Sequence, residues 1–143
     1  MRHLLALAYA IAAQGFKNKF DKQGRPYMEH CLYVADGMDT DAEKIVALLH
    51  DAVEDEIVTF EELRQYGFPE DIIRDIDLLT HRKDVDDYLD VYIKKIAMSL
   101  RATKVKKRDL RHNSDITRLK SLTKADFDRI EKYHRAFTYL SQV

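Results

Sequence analysis

"TDAEKIVALLHDAVED", residues Thr40 to Asp55, decides the fold class. Ala42, Ile45, Val46, Leu49, Ala52 and Val53 recur three and four apart, the spacing of one helix face. Thr40, followed three residues later by Glu43, forms a capping box, in which each side chain satisfies an amide left free at a helix start. The stretch predicts a helix over 41–54 with a buried face. Thr59 to Glu62 and Thr123 to Asp126, the latter in an Asp form, mark two further starts. Only four Gly and two Pro interrupt the chain, and no alternating apolar run demands a strand. Helices are expected over 2–14, 27–38, 60–66, 70–81, 85–100, 102–113 and 124–141. The second opens just after Pro26, and the last aligns Phe127, Ile130, His134 and Phe137 on one face. The predicted fold is all-α: one compact helical domain over 1–143, with seven or eight helices.

The 143 residues suffice for one domain with a substantial core. A net charge of −1 gives no broad attraction to nucleic acid or to an anionic membrane. The single cysteine, Cys31, excludes an intramolecular disulfide framework and suits a reducing compartment. The opening "MRHLLALAYAIAAQG" interleaves Tyr and Gln with its apolar residues and is followed by no cleavage-like boundary, so it reads as an amphipathic helix. No run is long enough to cross a bilayer. The expectation is a cytoplasmic protein with neither a nucleic-acid nor a membrane partner.

Within the opening stretch, His50, Asp51, Glu54 and Asp55 crowd four ionisable groups behind an apolar run. On a helix, His50 neighbours Glu54, while Asp51 neighbours both Glu54 and Asp55. Desolvated together, such groups repel unless a cation joins them. The cluster is therefore either a solvated acidic helix end or part of a cation site. His30, in "PYMEHCLYVA", and Asp109, in "VKKRDLRHNSD", supply what the second reading needs. Two imidazoles and two carboxylates make a mixed nitrogen and oxygen donor set, suited to Mn²⁺, Fe²⁺, Zn²⁺ or Mg²⁺. Four protein donors also leave positions open for water and substrate. The basic run Arg101, Lys104, Lys106, Lys107, Arg108 and Arg111 is either a solvated face or, beside such a site, a source of phosphate contacts. Arg82, after His81, carries the same pair of readings, since cations are also favoured at helix C-termini.

His30, His50-Asp51 and Asp109 together resemble the H…HD…D signature of the HD phosphohydrolase superfamily. "HDAVED" resembles the HDxxED motif of its (p)ppGpp hydrolase branch, which contains RelA/SpoT-type hydrolase domains and small stand-alone relatives. "DKQGRPYMEH", "ALLHDAVED" and "VKKRDLRHNSDITRL" follow in the family's order between residues 21 and 119. The resemblance implies one divalent metal, usually Mn²⁺, on His30, His50, Asp51 and Asp109. It implies Glu54 and Asp55 as the pair handling the attacking water, with Lys22 and Asn113 contacting a small-molecule nucleotide. The implied reaction is removal of the 3′-pyrophosphate from (p)ppGpp. A 5′-nucleotidase or other phosphomonoesterase, or a non-catalytic nucleotide-binding module, are the alternatives. Asp21 stands where the branch often carries Arg, and a carboxylate there is expected to weaken capture of the nucleotide.

Overall fold

The three capping boxes form as their sequences predict. Thr40, Thr59 and Thr123 each accept a bond from the backbone N–H three residues on, and Glu43, Glu62 and Asp126 return the bond. In the computed structural model, which describes residues 1–143, these helices join five others. The order is α1 (Arg2–Gly15), α2 (Met28–Asp36), α3 (Asp41–Leu49), α4 (Phe60–Gln65), α5 (Glu70–Leu79), α6 (Lys94–Ile96), α7 (Leu100–Asn113) and α8 (Lys124–Leu140). A π-helical turn, Tyr88–Ile93, leads into α6, and a 3₁₀ turn, Ile116–Arg118, lies between α7 and α8. There is no β-sheet; Phe20 and Pro26 form one isolated bridge that closes the loop before α2. No helix is long and apolar enough to cross a membrane.

Helix α3 is the centre of the packing. Ile45, Val46, Ala47, Leu48 and Leu49 are all fully buried, so more than one face of this helix is covered. Helices α1 and α2 make its most extensive contacts, and α5 and α7 also pack on it. Ala8 and Ala12 of α1 are completely buried, and their small side chains allow the close approach to α3. Each large side chain here, such as Leu48, represents roughly 2–5 kcal/mol against truncation to Ala. Helix α8 lies along α7 and buries Ala136 and Leu140 while leaving most of its surface in water.

Two elements differ from the sequence expectation. Helix α3 stops at Leu49, not at 54, and His50 is its C-terminal cap residue. Beyond it the chain tightens: Ala52 N–H bonds to Leu49 O, and Ile57 N–H returns to Ala52 O across Glu56, which adopts a positive φ of 61°. The apolar period continues through Ala52 and Val53 because both still face the core, although the helix has ended. The second difference is the expected helix over 85–100, which is broken into the π turn, α6 and a new start at Ser99. Ser99 Oγ accepts from Ala102 N–H at 3.1 Å and donates to Asp75 at 2.7 Å, so the chain re-caps there.

A candidate metal centre and its cleft

Three segments of the core deliver the predicted donors to one point. His30 comes from α2, His50 and Asp51 from the end of α3, and Asp109 from α7. His30, His50 and Asp109 are 2–4% exposed. One donor atom from each of His30, His50 and Asp51 lies within 4.8 Å of the others. Asp109 Oδ1 is 2.8 Å from His30 Nε2 and 3.4 Å from His50 Nε2.

His50 shows what this cluster fits. Its Nδ1 is 2.6 Å from the carbonyl oxygen of Ala47, which can only accept, so Nδ1 carries the proton. A neutral ring would then aim its Nε2 lone pair at Asp51 Oδ2, 3.1 Å away, and at Asp109 Oδ1. That buried nitrogen has no hydrogen-bond partner. A lone pair facing two carboxylates is repulsive unless a cation or proton stands among them, and a divalent ion satisfies all three groups at once. Without an ion, burial opposes protonation of His50, yet the Asp51 and Asp109 charges outweigh it and hold its pKa well above the ordinary value. Burial likewise works against both carboxylates, and their cationic neighbours still hold each below the usual range.

The surrounding groups fix these side chains in place. Asp109 accepts from Lys106 Nζ and from Asn113 Nδ2, each at 2.9 Å. Lys106 is nearly buried; burial disfavours its charge, but Asp109 more than compensates and keeps its pKa high. The Tyr27 hydroxyl donates to Asp51, and burial followed by the Asp51 and Asp109 charges raises its pKa. Glu54 Oε1 accepts from the backbone N–H of His81 at 2.8 Å, with Lys83 Nζ 3.8 Å from Oε2. Asp55 is ion-paired with Lys19, whose ammonium lies 3.9 Å from the Tyr27 ring centre.

Above the cluster opens a cleft of about 560 Å³, walled by Asp51, Glu54, Asp55 and Asp109 on its acidic side. Lys19, Lys83, Lys106 and Lys132 provide the cations, and Tyr88, Tyr92 and Tyr133 the aromatic surface. The Tyr88 hydroxyl is buried without a partner, and burial pushes its pKa up to about 12. A second cavity of about 280 Å³ shares Lys19, Tyr27, Asn113 and Tyr133 with the first and adds Lys22, Arg118 and Arg129.

The candidate substrate residues separate accordingly. Asn113 sits where the two cavities meet, and Lys22 lines only the outer one, 3.5 Å from Asp126. Arg82 lines neither: it is bound to Asp77 at 2.7 Å, and its neighbours His81 and Lys83 face the cleft in its place. Asp21, expected to weaken nucleotide capture, has partners of its own. Its carboxylate accepts from the backbone N–H groups of Gln23 and Arg25 and meets Arg118 at 3.2 Å, so it holds the loop and orients a guanidinium. Sequence reasoning did not single out Lys19, Tyr27 or Lys83 as lining residues, and took Lys106 only as part of a basic run, either a solvated face or a source of phosphate contacts. Lys106 was findable, being three residues before Asp109 on one helix face; Lys19 and Tyr27 arrive through loop geometry that no periodicity encodes.

No protein-family profile matches the chain. Among solved structures, a metazoan ortholog of SpoT that hydrolyses ppGpp matches with a TM-score of 0.78 at 22% sequence identity. The match covers 96% of this chain and 84% of that one. The chain therefore has the all-helical fold of a SpoT-type hydrolase.

Proposed function

We propose that this protein is a divalent-metal-dependent phosphohydrolase acting on a nucleotide 3′-pyrophosphate of the ppGpp type. The observation that carries the reading is the unpartnered His50 Nε2, aimed at two carboxylates beneath a lysine-lined cleft. The structural neighbour's hydrolysis of ppGpp supports the choice of substrate.

His30, His50, Asp51 and Asp109 would hold the ion, for which Mn²⁺ is proposed. When bound, it supplies Lewis acidity, making a water more acidic and polarising a phosphoryl oxygen. Glu54, which lines the cleft, is the residue proposed to take the water's proton: the His81 N–H fixes Oε1, and Oε2, 3.8 Å from Lys83 Nζ, would accept it. Asp55 accompanies it by fixing Lys19. Lys132 has no carboxylate within ion-pair distance and is free to meet a phosphate. Water adds to the phosphorus attached to the 3′ oxygen, the P–O3′ bond breaks, the 3′ oxygen takes up a proton to become a hydroxyl, and pyrophosphate carrying the water's oxygen is released. Asn113 and Tyr133, which line both cavities, would span the phosphates held in the inner one and the nucleoside in the outer one.

The test is a nucleotide panel with and without added Mn²⁺, with products identified chromatographically. GDP and pyrophosphate from ppGpp are expected, only with metal. Untouched ppGpp alongside dephosphorylated nucleoside monophosphates would replace this substrate with that of a nucleotidase.

A further inference from the structure

We propose that His112 is a positioning residue for His30, accepting the His30 Nδ1 proton and so presenting its Nε2 lone pair to the metal centre. The inference rests on the reading of His30 as a metal ligand. The two Nδ1 atoms are 2.7 Å apart, so one carries the proton and the other accepts it. The ring planes differ by 7° with centroids 5.0 Å apart, the separation of two imidazoles meeting edge to edge through that contact. A ligand that coordinates through Nε2 must hold its proton on Nδ1, and a fixed acceptor there sets both tautomer and ring angle.

His112 is itself clamped. Tyr33 stacks on its face at 4.0 Å with 13° between planes. The Arg108 guanidinium lies 3.5 Å from the Tyr33 ring centre, and two groups so near one centre must occupy its opposite faces. Arg108 Nε also donates to the Tyr33 carbonyl at 3.0 Å, and Arg118 donates to the His112 carbonyl at 2.8 Å. Gly37 leaves the space that Arg108 fills: a Cβ there would come within 2.5 Å of its Nε. The ladder Arg108–Tyr33–His112–His30 thus runs from the outer face of α2 and α7 to the centre.

Metal-stripped protein is titrated with Mn²⁺ by calorimetry, as wild type, His112→Phe and His112→Asn. Phe keeps a flat ring under Tyr33 but accepts no hydrogen bond, and Asn restores an acceptor oxygen. His112→Phe should bind Mn²⁺ about 10–100-fold more weakly, the usual loss on removing a ligand's supporting partner. His112→Asn should recover most of that affinity. In the Zn²⁺-loaded wild type, ¹⁵N spectra should place the His30 proton on Nδ1, a readout that needs no folded variant. Equal Mn²⁺ affinity in His112→Phe, equal losses in both variants, or a His30 proton on Nε2 would each overturn the inference. A wild type that binds no Mn²⁺ would instead remove the proposed metal centre, and this inference with it.

Discussion

Replacing Lys106 by Met tests the electrostatics beneath the proposed centre. The Lys106 and Asp109 side chains are 11% and 6% exposed and 2.9 Å apart, so little solvent screens them. Removing one partner of such a buried pair typically costs about 3–5 kcal/mol, because the other charge is left uncompensated. The lower end applies here, since Asp109 keeps His30 at 2.8 Å and Asn113 at 2.9 Å, and Met preserves most of the apolar stem. A loss of about 3 kcal/mol lowers Tm by roughly 6–12 °C in a chain of this size. Asp109 is held below its reference of 3.8, so its contribution is present above that pH and lost as pH falls through the folded value. Lys106 is held above its reference of 10.5, so its contribution is present below that pH and lost above it. The gap between wild type and variant should therefore stay flat from about pH 5 to 9 and shrink in acid. Thermal unfolding of metal-stripped protein, followed by circular dichroism, provides the measurement, and saturating Mn²⁺ should narrow the gap by supplying the missing charge. A loss below about 1 kcal/mol without metal would refute the claim that Asp109 needs a cation.

Other substitutions probe separate links. Glu54→Gln should retain metal yet lower kcat on the order of 10²-fold if Glu54 takes the water's proton, and an unchanged kcat would return it to a solvated chain turn. Asp21→Arg should raise KM, because it removes two loop bonds and sets a second guanidinium beside Arg118; a lower KM would show that a cation is wanted there. Thr40→Ala should cost about 1 kcal/mol in urea unfolding by opening the cap of α3, with no change in m-value. Bonds from Thr123 outweigh the opposing effect of burial on the Asp126 carboxyl and, with smaller help from Arg129 and Lys22, hold it at about 2. Its contribution is present above the ordinary 3.8 and lost as pH falls toward 2, so urea midpoints of Asp126→Asn should fall less steeply than wild type between those values.

Helix starts were the most legible feature of the sequence, since a capping box is a local bond pattern that tertiary context rarely overrides. The helix ends were less so. Ala52 and Val53 keep the apolar period beyond Leu49, so periodicity could not reveal that α3 gives way to a tighter turn at His50. The π turn at Tyr88–Ile93 was equally hidden, because its side-chain pattern over six residues matches that of an α-helix. At the site, residue types and order brought His30, His50, Asp51 and Asp109 into view, and the packing of α2, α3 and α7 brings them together. Arg82 illustrates the opposite case: a basic residue next to the cleft in sequence turned outward to Asp77, one residue from two that face inward. Asp21 shows that the meaning of a charge depends on its partner, and Arg118 lies 97 positions away.

A crystal of the protein soaked in Mn²⁺, with anomalous diffraction recorded at the manganese edge, addresses the proposed centre most directly. One peak per chain should lie in coordination contact with His30 Nε2, His50 Nε2, Asp51 and Asp109, and it should vanish in His50→Ala. A map with no peak among these four side chains, or one unchanged in His50→Ala, would contradict the metal centre on which the proposed hydrolase depends.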